Sequence, residues 1–124
     1  VTVLGLTAHL NIGVLEKGVL QPGHIAVLFI STRPETSETY TFFDEATLQS
    51  ASEIEGFLGW DSVRNGINGI FISYWKDESA VEIWKNHTLH RRAKDLGKSE
   101  FYSFYRSLVT KISTISEYQK GSSC

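Results

Sequence analysis

Apolar positions recur along the 124-residue chain with a period that switches between two and three-to-four, and each switch marks an element. Ile25, Ala26, Val27, Leu28, Phe29 and Ile30 run without a charge, which predicts a buried strand over 24–31. Gln21-Pro22-Gly23 supplies turn chemistry before it. Residues 1–23 therefore read as a separate arm or one or two extra strands. Tyr40, Phe43, Thr47, Leu48, Ala51 and Ile54 then recur at helical spacing. Thr36 or Ser37 can cap that helix, Glu38 suits its first turn, and it should run to about Ser52 and stop before Gly56.

A second strand is expected over 57–64, with Leu58 and Trp60 on one face. Asn65-Gly66 and Asn68-Gly69 are turn signals, and a strand resumes over 70–75, so the two form a hairpin. Asp77 can cap a helix whose inward residues are Ala80, Val81 and Trp84. Asn86-His87-Thr88 interrupts it. Thr88 can cap a second helical piece carrying Leu89, His90, Ala93 and Leu96, stopped by Gly97. A last strand is expected over 104–116, and 119–124 reads as a frayed tail.

The order is β-α-β-β-α-β, the split βαβ or ferredoxin-like arrangement of the α+β class. It implies an antiparallel four-stranded sheet with both helices on one face. The strands carry large apolar side chains on both faces, and two helices can cover only one. A second copy of the chain is the simplest cover, so a homodimer through the sheet face is expected.

Composition narrows the field further. Lys plus Arg is 12 and Asp plus Glu is 14, a formal net charge of −2, which disfavours nucleic acid as the main partner. No apolar run reaches the ~20 residues of a membrane span. The first twenty residues lack the basic start of a secretory leader. One cysteine, Cys124, allows no disulfide within these residues and no Cys-based zinc site, which suits the cytoplasm. There is no phosphate loop, no nucleophile elbow, no His-Glu-x-x-His and no acidic calcium loop.

What remains is an aromatic surplus and two histidines. Seven Phe, five Tyr and three Trp read first as core and second as a pocket for a flat ligand. Trp75, Trp84, Tyr40 and Phe43 are the pocket candidates. His87 and His90 follow Trp84 and could supply a general base, or could merely hydrogen-bond at a helix break. Two His fall short of a zinc site, and no metal is expected. Residues 35–55 are acidic and 84–98 basic, which fits two solvated faces or a basic rim drawing an anion.

The stretches 56–59 (Gly-Phe-Leu-Gly), 73–76 (Ser-Tyr-Trp-Lys), 80–85 (Ala-Val-Glu-Ile-Trp-Lys) and 87–90 (His-Thr-Leu-His) resemble the antibiotic biosynthesis monooxygenase domain family. So does 97–106, with Phe101-Tyr102 and Tyr105-Arg106. The resemblance spans 24–118, and 1–23 lie outside it. It implies a dimeric α+β barrel in which two ferredoxin-like subunits pack sheet against sheet.

Some members oxidise polycyclic phenols to quinones with O2 and no cofactor, whereas others bind haem and open its ring with an Asn, a Trp and a His. Trp84 resembles the haem enzymes' Trp, but Lys94 stands where their His falls, and 24–31 contain no Asn. The resemblance thus implies a cofactor-free monooxygenase for an aromatic or polyphenolic molecule. His90 or His87 would be its base, and Trp84, Trp75, Tyr40 and Phe43 its pocket. A haem-degrading relative and a non-enzymatic ligand-binding or stress-related dimer are the alternatives.

Overall fold

A computed structural model describes residues 15–35, 38–87, 91 and 102–121; within 38–44 it describes the backbone only. The elements run β1 (Ile25–Thr32), α1 (Glu38–Ser52), β2 (Phe57–Asn65), β3 (Asn68–Trp75), α2 (Glu78–Lys85) and β4 (Phe104–Lys111). The four strands form one antiparallel sheet in the order β2-β3-β1-β4, the ferredoxin-like α+β topology expected from the pattern.

Local chemistry sets the boundaries. Asp77 caps α2 by accepting the Ala80 N–H at 3.0 Å. Asn65 pairs with Asn68, so the Gly66-Ile67 turn closes the β2–β3 hairpin. The last strand is shorter than the sequence suggests: β4 stops at Lys111, not near Ser116. Its partner β1 starts at Ile25, and the chain turns away at Gly23 (φ 96°). Only Ile112 still pairs, donating to the His24 carbonyl at 2.9 Å and accepting from Gly23 at 2.8 Å. Residues 15–23 contain no strand. The second helical piece expected after Thr88 lies outside the described residues, except that the Arg91 N–H donates to the His87 carbonyl at 2.9 Å, a helical bond.

One face of the sheet packs against the helices. Ile25, Val27, Ala51, Trp75, Ala80, Val81 and Trp84 form its buried core, with Ile54 and Phe57 against them. The opposite face carries Leu28, Ile30, Ile70, Ile72, Val63, Leu108 and Phe104 by strand alternation. Val63, Ile70, Phe104 and Leu108 are each between 41% and 47% exposed, so this face is apolar and part-open. At its other end the arm crosses it. A bulge between Phe57 and Gly59 leaves Gly59 at φ 145°, with the Leu15 side chain where a Cβ would stand. No described helix is long and apolar enough to cross a membrane.

Candidate functional site

The helix-covered face differs from one end to the other. At the end where Ile25 pairs with Trp75, three rings stack tightly. Trp75 lies 5.0 Å from Phe57, edge-on, and 5.1 Å from Trp84. Trp75 is fully buried and its indole N–H donates to Ser73 Oγ at 3.0 Å. This is close-packed core, and the Trp75 indole N–H is satisfied within it. The sequence brings Trp75 and Trp84 together as expected. Trp75, a pocket candidate in the sequence, is sealed where β3 ends beneath α2.

Toward the end where Thr32 pairs with Asn68, a second aromatic set is only half buried. Trp60 stacks on Phe71 at 6.2 Å, Phe71 stands opposite Phe29 in the register, and Phe29 stacks on Tyr105 at 5.4 Å. Tyr102 closes edge-on against Phe29 at 5.3 Å and against Tyr105 at 6.0 Å. The band therefore runs across all four strands and forms an aromatic bay.

Two guanidinium groups flank it. Arg33 is 5% exposed and lies 5.8 Å from the Tyr102 ring centroid, and its backbone N–H donates to the Ile67 carbonyl. Arg64 donates to Ser31 Oγ at 3.3 Å and to the Ile67 carbonyl at 3.2 Å, and its guanidinium packs over Gly69. Rings at half burial beside held cations suit a flat, electron-rich or anionic ligand.

The other expected site residues are placed as follows. His87 is half buried just beyond α2, and its N–H donates to the Trp84 carbonyl at 3.0 Å. Tyr40 and Phe43 fall in the first half of α1, and their side chains lie outside the described residues, as does His90. Among the described residues no three His, Cys, Asp or Glu side chains gather as a metal site would need. The bay residues Phe29, Phe71, Trp60 and Tyr105 were not singled out by motif. Their shared phase with Val27 and Ser73, once the hairpin register is known, is the signal that finds them.

No family model matches the chain. The uncharacterised protein YqjZ of Bacillus subtilis is 37% identical over 93 residues, covering 74% of this chain and 82% of YqjZ. Solved structures carry the fold comparison. SnoaB, a cofactor-independent oxygenase from Streptomyces nogalater, superposes with a TM-score of 0.62 at 9% identity, over 81% of this chain and 99% of SnoaB. A Bacteroides thetaiotaomicron protein classed with the antibiotic biosynthesis monooxygenases gives 0.61 at 14% identity, over 79% and 93%.

The chain belongs to the YqjZ family and has the fold of the antibiotic biosynthesis monooxygenases.

At such identities the solved structures speak for the fold alone. Within that fold, the bay and the buried tryptophan pair occupy opposite ends of one sheet face.

Proposed function

We propose that this chain is a cofactor-independent monooxygenase that oxidises an aromatic or polyphenolic small molecule with O2, as a cytoplasmic homodimer. The half-buried aromatic band flanked by Arg33 and Arg64 carries the reading. Such a bay stacks a flat ring, and nearby guanidinium charge favours the ring's anion. Trp60, Phe71, Phe29 and Tyr105 form its floor, and Tyr40 and Phe43 of α1 are the further ligand-binding candidates. Trp84 and Trp75 support it from the core.

The chemistry then needs one base. An imidazole, His90 or failing it His87, removes a proton from an activated CH2 beside the phenol rings. The carbanion passes one electron to O2, and the radical pair combines to a hydroperoxide. The imidazolium returns the proton, water leaves and a carbonyl remains. One CH2 and one O2 thus become one C=O and one H2O, with no metal or flavin in the balance.

Two copies would join through the open sheet face, where Val63, Ile70, Phe104 and Leu108 are exposed. An obligate interface of this kind buries more than ~2,000 Å². Light scattering should give a dimer at micromolar concentration, and Ile70→Glu with Leu108→Glu should give a monomer.

Oxygen uptake with a dihydroxyanthrone, measured against its spontaneous oxidation, tests the reaction. Catalysed uptake with quinone formation is expected, lost in His90→Ala while the melting temperature holds. A panel of polyphenols that bind without any catalysed uptake would leave a ligand-binding dimer instead. Full activity in both His90→Ala and His87→Ala would remove the base from the mechanism.

A further inference from the structure

A cavity lies between the edge strand β2 and the arm. It measures about 340 Å³ and is lined by Leu15, Glu16, Val19, Leu58, Gly59 and Trp60. That volume falls within the range of small-ligand sites. Five of its six lining residues are apolar or glycine, and the sixth, Glu16, is exposed.

The crevice is held open rather than left by loose packing. The Leu15 N–H donates to Asp61 Oδ1 at 2.6 Å, and the Gly18 N–H to Glu117 Oε1 at 3.0 Å. Farther along, Gly23 and His24 are fastened to Ile112. Glu16 and Val19 thus lie on a strap pinned at Leu15, Gly18 and Gly23, and the strap spans the crevice at a fixed height. Asp61 is itself fixed by the Tyr74 O–H, which donates to its Oδ2 at 2.6 Å.

The electrostatics of the strap have one sign. On the arm and its two anchors three carboxylates, Glu16, Asp61 and Glu117, stand against Lys17. Burial first, then the hydrogen bond and charge of Asp61 and the charge of Glu117, push the Tyr74 phenol's pKa well above the usual tyrosine range. A mostly apolar lining that includes Trp60, with one exposed carboxylate, is complementary to an ammonium carried on a flat or short apolar body.

We infer that the arm–β2 crevice is a binding site for a small aromatic or alkyl amine, sharing Trp60 with the aromatic bay but formed by the arm and the edge strand. The apolar body lies between Trp60, Leu58 and Val19, and the ammonium meets Glu16.

The full chain titrated with 2-phenylethylamine tests this, with 2-phenylethanol and phenylacetate as neutral and anionic matches of the same size. Amide and indole NMR shifts should saturate at Glu16, Val19 and Trp60 with the amine. The amine should bind at least about fivefold tighter than the carboxylate, a gap that narrows with salt. Glu16→Gln, at an exposed position, should weaken the amine by about two- to fivefold and leave the alcohol unchanged. Val19→Trp, which fills the crevice, should abolish binding, while Tyr105→Leu at the far side of the bay should preserve it. Equal binding of amine and carboxylate would overturn the charge assignment. Binding that survives Val19→Trp but is lost in Tyr105→Leu would move the ligand to the bay and overturn the site.

Discussion

The two ends of the sheet are built from the same residue types and behave differently. At the Ile25–Trp75 end the helix-covered face is sealed and the arm lies over the reverse face. Trp75, Trp84 and Phe57 interlock under the helices, and on the reverse face Tyr74 is 8% exposed beside the arm's anchor, Asp61. At the Thr32–Asn68 end both faces stay part-open. Trp60, Phe71, Phe29 and Tyr105 are half buried on the helix side, and Ile70, Val63 and Phe104 are exposed on the reverse. Aromatic content does not distinguish pocket from core; closure does. Rings that are sealed supply stability, and rings that keep part of their faces open keep capacity for a ligand.

The largest expected effect is at the sealed end. Trp75→Ala removes a fully buried indole with two ring partners and strands Ser73 Oγ. It should cost roughly 3–5 kcal/mol, read by urea or thermal unfolding. A cost under ~1 kcal/mol would mean that the two ends are not distinct in packing.

Next comes the reverse face of the same end. Tyr74→Phe removes the phenol O–H from the Asp61 carboxylate, a charge-assisted bond of about 1.5–3 kcal/mol. The pH dependence sharpens the test. The folded phenol has a raised pKa, so the folded chain holds this proton more tightly than the unfolded one. Its stabilisation is therefore fully present below the ordinary tyrosine pKa of about 10 and is lost as pH rises beyond it. Wild type should lose stability in that alkaline window, and Tyr74→Phe should lose less. Parallel curves for the two would separate the arm's anchor from the phenol.

The open end should show the reverse balance. Phe71→Ala truncates a half-buried ring, so it should cost only about 1–2 kcal/mol. It should nonetheless remove most of the binding of a polyphenol, because the ring joins Trp60 to Phe29 across the bay. Calorimetric titration beside an unfolding curve gives both numbers. Equal losses at Phe71 and Trp75 in stability would erase the contrast.

Much of this architecture is legible in the residues because its determinants are local. The charge-free run of Ile25 through Ile30, the Asn65–Asn68 turn signals and the Asp77 cap each act within a few positions, and each stands where the pattern puts it. The two-sided apolar sheet is legible for the same reason. Three features are not, because they depend on what a residue meets across the chain. The end of β4 at Lys111 is decided by where β1 begins. The arm's path is decided by Leu15 meeting Asp61, 46 residues away. The bay needs rings from four strands, visible as one set only when Phe71 is set opposite Phe29 and Trp60 opposite Ser73. Trp75 and Trp84, adjacent to recognisable motif residues, look like a pocket in the sequence for want of that register.

The smallest effect probes why the packed end is packed. α2 has only eight residues, too short to be stable alone, and it is the element that seals Trp75. Its first turn is fixed by Asp77, whose extended backbone ends β3's exit and whose carboxylate takes the Ala80 N–H. Asp77→Ala leaves that N–H without the cap and removes an anion from the positive end of the helix dipole, at about 1 kcal/mol. Asp77→Asn keeps an acceptor and should restore most of the loss. Since Ala80, Val81 and Trp84 all ride on this helix, fraying should loosen the Trp75 end first. Hydrogen exchange should therefore quicken at Trp84 and its helix neighbours while the amides of Phe29 and Phe71 keep their rates. Uniform acceleration across the sheet would show instead that the two ends unfold as one unit.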